Sequence, residues 1–140
     1  MIRELKSNDI TRVAEIWLQA NLSAHDFISP DYWKDNREAV SAALQEAEVY
    51  VYEAAGKIQG FVGLNGDYIE GIFVSEEARS SGIGRSLLDF VKRIKEELSL
   101  HVYQKNRRAI DFYRREGFQI LESGADEYTQ EADFLMIWRK

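Results

Sequence analysis

Gly82 and Gly84 stand in the run Arg79-Ser80-Ser81-Gly82-Ile83-Gly84-Arg85, shortly after the apolar stretch Ile72-Phe73-Val74. A strand that passes through a glycine-bearing turn into a helix is built to hold phosphate. The glycines let the backbone approach closely, the first helical amides have no partner within the helix, and the helix dipole favours negative charge there. The helix itself is legible from Ile83, Leu87, Leu88, Val91 and Ile94, spaced at three- and four-residue intervals. Two familiar phosphate loops are excluded by the letters. A Walker A loop requires Gly-Lys-Ser/Thr, where this chain has Gly84-Arg85-Ser86. A dinucleotide fingerprint requires a third glycine where Leu87 stands.

The 140 residues suffice for about one domain with a sizeable core, so residues 1–140 are expected to form a single domain. Without cysteine, disulfides, thiol nucleophiles and thiolate metal sites are excluded. His25 and His101 lie far apart in sequence, and no metal is expected on so poor a ligand set. The formal charge of -6 argues against a nucleic-acid surface. The basic cluster Lys105, Arg107, Arg108, Arg114 and Arg115 reads first as a solvated helix face. Met1-Ile2-Arg3-Glu4-Leu5 lacks the apolar core of a signal peptide and no run is long enough to span a bilayer, so a cytoplasmic protein without membrane contact is expected.

The elements that must position the loop follow from periodicity and punctuation. Met1 to Leu5 reads as a short strand, and Asn8 or Asp9 as the cap of a helix carrying Ile10, Val13, Ile16 and Trp17. Ser29-Pro30-Asp31 opens a second helix, expected over residues 31–46. Strands at 49–53 and 57–64 flank Ala54-Ala55-Gly56 as a hairpin, and Asn65-Gly66-Asp67 turns into a strand at 68–74. After the phosphate-loop helix come a strand at 98–103, a helix at 107–116 stopped by Gly117, and strands at 118–122 and 134–138. The strand-helix-strand passage from residue 68 to 103 implies a right-handed crossover and a parallel pair. The result is an α/β fold with a mixed, mostly antiparallel sheet of six to seven strands and helices on both faces. The last strand, with Trp138, reads as an exposed edge that could pair two copies in a homodimer.

The glycine loop resembles the acyl-CoA pyrophosphate loop of the GNAT N-acetyltransferases, Arg/Gln-x-x-Gly-x-Gly/Ala, with Arg79 five residues after Val74. A second block, from Asn106 through Ala109 and Tyr113 to Gly117-Phe118, resembles that family's Asn-x-x-Ala-x-x-Phe/Leu-Tyr-x-x-x-Gly-Phe. The two blocks span residues 68–118, about a third of the chain, in the family's order. The resemblance, nearest to the small bacterial branch acting on lysine or other primary amines, implies that the two parallel strands splay apart. It implies acetyl-CoA as co-substrate, held by Ile72, Phe73 and Val74, by Arg79, Ser80, Ser81, Gly82, Ile83, Gly84 and Arg85, and by Asn106 and Tyr113. The resemblance also gives some of the basic cluster a local task near the cofactor phosphates.

Transfer to an amine requires a base, because a free lysine titrates near 10.4. It also requires a donor for the tetrahedral oxyanion, by resemblance the Val74 amide, and a hydroxyl for the departing thiolate, by resemblance Tyr113. His101, where some relatives carry glutamate, and Glu70 are rival bases. Period-two alternation puts Glu70 with Ile72 and Val74 unless a bulge intervenes. His25 and Phe27 are expected to wall the acceptor pocket, and Tyr128 to close its other side beside Asp126, Glu127, Glu131 and Asp133. The chain lacks the family's frequent proline after the strand and a basic residue before the first glycine, which points to weaker cofactor binding. The acceptor is a small-molecule amine or a protein lysine. A non-catalytic acyl-CoA sensor would keep the loop without needing Tyr113, and a nucleic-acid binder would use the basic helix.

Overall fold

The computed structural model describes all of residues 1–140. Seven strands form one sheet: β1 (Ile2–Glu4), β2 (Glu48–Ala54), β3 (Lys57–Asn65), β4 (Tyr68–Val74), β5 (Glu97–Tyr103), β6 (Gln119–Ala125) and β7 (Ala132–Arg139), in the spatial order β1-β2-β3-β4-β5-β7-β6. Only β4 and β5 run parallel. Helices α1 (Ile10–Ala24), α2 (Pro30–Asp35), α3 (Arg37–Leu44), α4 (Ile83–Ile94) and α5 (Arg107–Arg115) complete the chain. No helix is long and apolar enough to cross a membrane.

Two cores sandwich the sheet. On one face Val13, Ala14 and Ile16 of α1 and Leu44 of α3 pack on Val49, Val51, Ile58 and Phe61. On the other, Ile83, Leu87, Leu88 and Val91 of α4, with Ile110 and Tyr113 of α5, pack on Val62, Leu64, Leu98, Leu100 and Met136. The run Phe61 to Leu64 is buried throughout because it supplies both faces of a central strand, the reason it reads as continuous rather than alternating.

Three expectations are corrected. Asp9 does not cap α1 by its side chain; its carboxylate takes the Lys6 N–H at 2.8 Å and the guanidinium of Arg3, which also holds Glu53 at 2.8 Å. The helix expected over 31–46 is two helices, broken where the Asn36 amide turns back to donate to the Tyr32 carbonyl and competes with the helical ladder. The last strand is not an edge: β7 lies between β5 and β6, and Trp138 sits beneath Lys92, whose Nζ is 5.3 Å from its ring and also donates to the Glu116 carbonyl. Alternation marks β7 as a strand but carries no information on which neighbours it takes. The free edges are β1 and β6, the latter distorted by a bulge at Leu121.

The 54–57 hairpin turn has positive φ at both Ala55 (54°) and Gly56 (75°), the conformation that matches the twist of the flanking strands. Glycine adopts it freely and alanine does not. Ala55→Asn is expected to stabilise the fold by about 0.5–1 kcal/mol, read as a higher denaturant midpoint at unchanged slope.

Candidate active site between the splayed strands

β4 and β5 pair at one register position, Tyr68 with Ser99. Beyond it β4 stays on β3 while β5 stays on β7, and the two diverge. The Ser75 N–H donates to Gln59 on the β3 side at 2.9 Å. Backbone direction alternates along an antiparallel strand, so Phe73 and Gly71 also face β3, whereas Ile72 and Val74 turn their N–H and C=O groups into the gap. A cleft of about 710 Å³ opens there, lined by Ile72, Phe73 and Val74 on one wall and by α5 on another.

Gly82 closes one end of this cleft. Its φ of 84° turns the chain into α4, and no side chain caps the helix. The Ser86 N–H donates to the Gly82 carbonyl at 3.0 Å as the first helical bond, which leaves the amides of Ile83, Gly84 and Arg85 outside the helical ladder. Arg79, Ser80, Gly82, Ile83, Gly84 and Arg85 all line the cleft. Ser81 does not: its hydroxyl donates to the Ala78 carbonyl and stabilises the turn from behind. The side chain expected at the cofactor is thus engaged within the turn itself.

The α5 wall starts at Asn106, whose Oδ1 accepts the Ala109 N–H at 3.2 Å as a side-chain cap. Tyr113, two turns on, lines the cleft, is 8% exposed, and its hydroxyl has no protein partner; burial pushes the phenol far above its ordinary titration range. His25 also lines this cleft rather than standing in a separate acceptor wall, with Nε2 at 3.0 Å from the Asn106 amide. Phe27 packs on His25 and Tyr103, beneath Lys105.

His101 and Glu70 lie outside the cleft lining but on one face of the sheet. His101 Nδ1 is 2.8 Å from the Tyr68 hydroxyl. A bulge at Glu70, between the pairs Gly63–Gly71 and Leu64–Ile69, breaks the alternation of β4. Ile69 therefore faces the α4 core along with Ile72 and Val74, and the Glu70 side chain stands on the opposite face, that of Phe73. The grouping of Glu70 with Ile72 and Val74 is thus reversed, and both rival bases come near Tyr68, whose own phenol is raised by burial and by Glu70.

Tyr128 is 77% exposed and lines no part of the cleft, contrary to its expected closing role. The Asp126 carboxylate explains its loop: it accepts the Tyr103 hydroxyl at 2.9 Å and the amides of Tyr128 and Thr129, which points the Tyr128 ring outward.

The family model for the acetyltransferase (GNAT) domain matches residues 45–120. The peptidyl-lysine N-acetyltransferase YiaC of Escherichia coli K12 is 36% identical over 99% of this chain and 96% of that protein. The chain belongs to the GNAT acetyltransferase family. The solution structure of apo YjaB from Escherichia coli is similar at a TM-score of 0.87 and 24% identity, covering 98% of this chain and 95% of that one. PaiA N-acetyltransferase from Thermoplasma acidophilum, solved with coenzyme A, aligns at a TM-score of 0.83 and 18% identity, over all of this chain and 98% of that one.

Two arginines of this GNAT site escape motif reading. Arg108 and Arg115 line the cleft, Arg108 within 3.5 Å of the Ser80 hydroxyl, whereas Arg107 and Arg114 do not. Spacing held the signal: residues 108, 112 and 115 share one face of α5, so the basic cluster divides, with Arg108 and Arg115 on the cleft.

Burial lowers His25 to about 4 from an ordinary 6.5. The unfolded chain binds this proton first, so folding stability is complete above pH 6.5 and declines as pH falls towards 4. The loss is about 1–2 kcal/mol after allowance for the partly open ring. Denaturant titrations at pH 7 and pH 4.5 should show it, and His25→Gln should remove this share of the decline.

Proposed function

We propose that residues 1–140 act as one acetyl-CoA-dependent N-acetyltransferase whose acceptor is a primary amine, most specifically the side chain of a protein lysine, attacked directly in a ternary complex. The observation that carries this reading is the convergence of three unpartnered donor sets on one cleft: the Val74 and Ile72 backbone, the first amides of α4, and the Tyr113 hydroxyl. The lysine preference draws on YiaC, a peptidyl-lysine N-acetyltransferase.

The diphosphate of acetyl-CoA rests on Gly82, Ile83, Gly84 and Arg85, with Arg79, Arg108 and Arg115 supplying charge. The pantetheine arm runs along Ile72, Phe73 and Val74 and reaches Asn106. His101 takes the proton of the incoming ammonium: with Nδ1–H donating to Tyr68, Nε2 keeps its lone pair. Glu70, on the same face, attracts the cation before deprotonation. The neutral amine forms a bond to the thioester carbonyl carbon, and the Val74 N–H holds the resulting oxyanion. The C–S bond then breaks, and the Tyr113 hydroxyl donates to the departing sulfur. A phenol kept protonated by burial is always ready for that donation.

Calorimetry with acetyl-CoA and thiol release with a lysine peptide test the assignment. Gly82→Trp fills the cleft end and strains a positive φ, and should abolish binding. Tyr113→Phe should bind acetyl-CoA within about twofold of the native protein and lose 10²-fold or more in kcat. A non-catalytic acyl-CoA sensor would instead bind tightly, release no thiol with any amine, and be indifferent to Tyr113→Phe.

The roles of His101 and Glu70 separate by pH. His101→Ala should lose about 10²-fold in kcat and shift the rising limb of the rate profile, while Glu70→Gln should mainly raise the KM of a cationic peptide. The reverse pattern would make Glu70 the base.

A further inference from the structure

His25 is the only residue in the 10–36 region that hydrogen-bonds to the part of the chain after Glu97, and its partner is Asn106. The bond belongs to a chain of four. The Asn21 amide donates to the Trp17 carbonyl at 2.9 Å, Asn21 Oδ1 meets His25 Nδ1 at 2.9 Å, His25 Nε2 meets Asn106 Nδ2 at 3.0 Å, and Asn106 Oδ1 accepts the Ala109 N–H at 3.2 Å. Backbone groups at both ends remove all freedom from this chain. A carbonyl can only accept, so Asn21 presents Nδ2 to Trp17 and Oδ1 to His25. A backbone N–H can only donate, so Asn106 presents Oδ1 to Ala109 and Nδ2 to His25. Both amide orientations follow from their partners, and only one form of the imidazole fits between them, neutral with its proton on Nδ1.

The surroundings enforce the same state. Trp33 stacks on the ring at 5.5 Å, Tyr103 and Phe27 meet it edge-on, and Asn21 is 3% exposed. The backbone is tethered as well, since the His25 N–H donates to Asn21 and the His25 carbonyl accepts from Ile28. An imidazolium here would set a ring N–H against the Asn106 N–H.

We propose that His25 is a positioning residue: as the neutral Nδ1–H tautomer it ties the end of α1 to Asn106, fixes the amide that caps α5, and so sets the width of the cleft where the acyl arm passes. The inference rests on the acetyltransferase reading for its functional part, because Asn106 and Tyr113 act there on acetyl-CoA. One Asn106 N–H is committed to His25, which leaves the other for the ligand. The order of this amide is therefore established before ligand arrives, and the ordering cost is not charged to binding.

The test joins a spectroscopic and a kinetic arm. Nitrogen-15 NMR of the histidine-labelled native protein at pH 7 should show one imidazole protonated at Nδ1 and unprotonated, hydrogen-bonded at Nε2; assignment comes from the loss of that signal in His25→Gln. His25→Phe keeps the aromatic packing and removes both bonds, and should raise the KM for acetyl-CoA about five- to tenfold with a smaller change in kcat. His25→Gln can still accept from Asn106 and should remain within about twofold of the native KM. A His25 protonated at Nε2, or a native KM in His25→Phe, overturns the proposal while the acetyltransferase reading stands. Failure of the native protein to bind acetyl-CoA overturns the functional part together with that reading.

Discussion

A backbone amide removed from water must have a partner, and the structure is organised around a place where the sheet withholds one. β4 and β5 meet once and part, so two residues of β4 direct their polar groups into a gap instead of a ladder. A sheet interrupted in its centre is unfavourable unless something else holds the halves together. The α4 core does so: Leu87, Leu88 and Val91 pack at once on Val62 and Leu64 from one half and on Leu98 and Leu100 from the other. The open seam is thus maintained by apolar burial on one face, which is indifferent to direction, while hydrogen-bonding capacity is released into the gap within the plane of the sheet.

Local departures from regularity serve the same end. The bulge at Glu70 lets β4 follow β3 and turn a carboxylate to the face where His101 stands. Gly71, next to it, has no side chain because the ring edge of Phe73 occupies the space where a Cβ would lie. Gly82 then reverses the chain with a left-handed φ and delivers the N-terminus of α4 to the cleft. The last two devices are single glycines, Gly71 required by a neighbouring ring and Gly82 by backbone geometry.

The sequence was informative where periodicity and turn chemistry are local. The hairpins, the amphipathic α4 and the glycine-stopped α5 all formed near their expected limits, and both motif blocks came to one cleft. What it left unreadable is the set of facts decided by distant neighbours. Residue alternation cannot say that β7 inserts between β5 and β6, since a strand reads alike at an edge or inside. The parity at Glu70 turned on a bulge with no marker of its own. The Ser81 hydroxyl was drawn to a carbonyl three residues back, and Tyr128 was turned outward by an Asx turn at Asp126. His25 was legible as a wall of the site but not as a partner of Asn106, eighty-one residues away.

The titratable residues of the cleft wall have a common property. Burial drives the Tyr113 phenol up and the His25 imidazole down, each away from neutrality, and the cations among them are arginines, which hold their charge throughout the physiological range. Neither Tyr113 nor His25 changes charge near pH 7. The wall that faces the co-substrate therefore keeps one protonation pattern at Tyr113 and His25 on both sides of pH 7, fixed by how deeply each ring is buried.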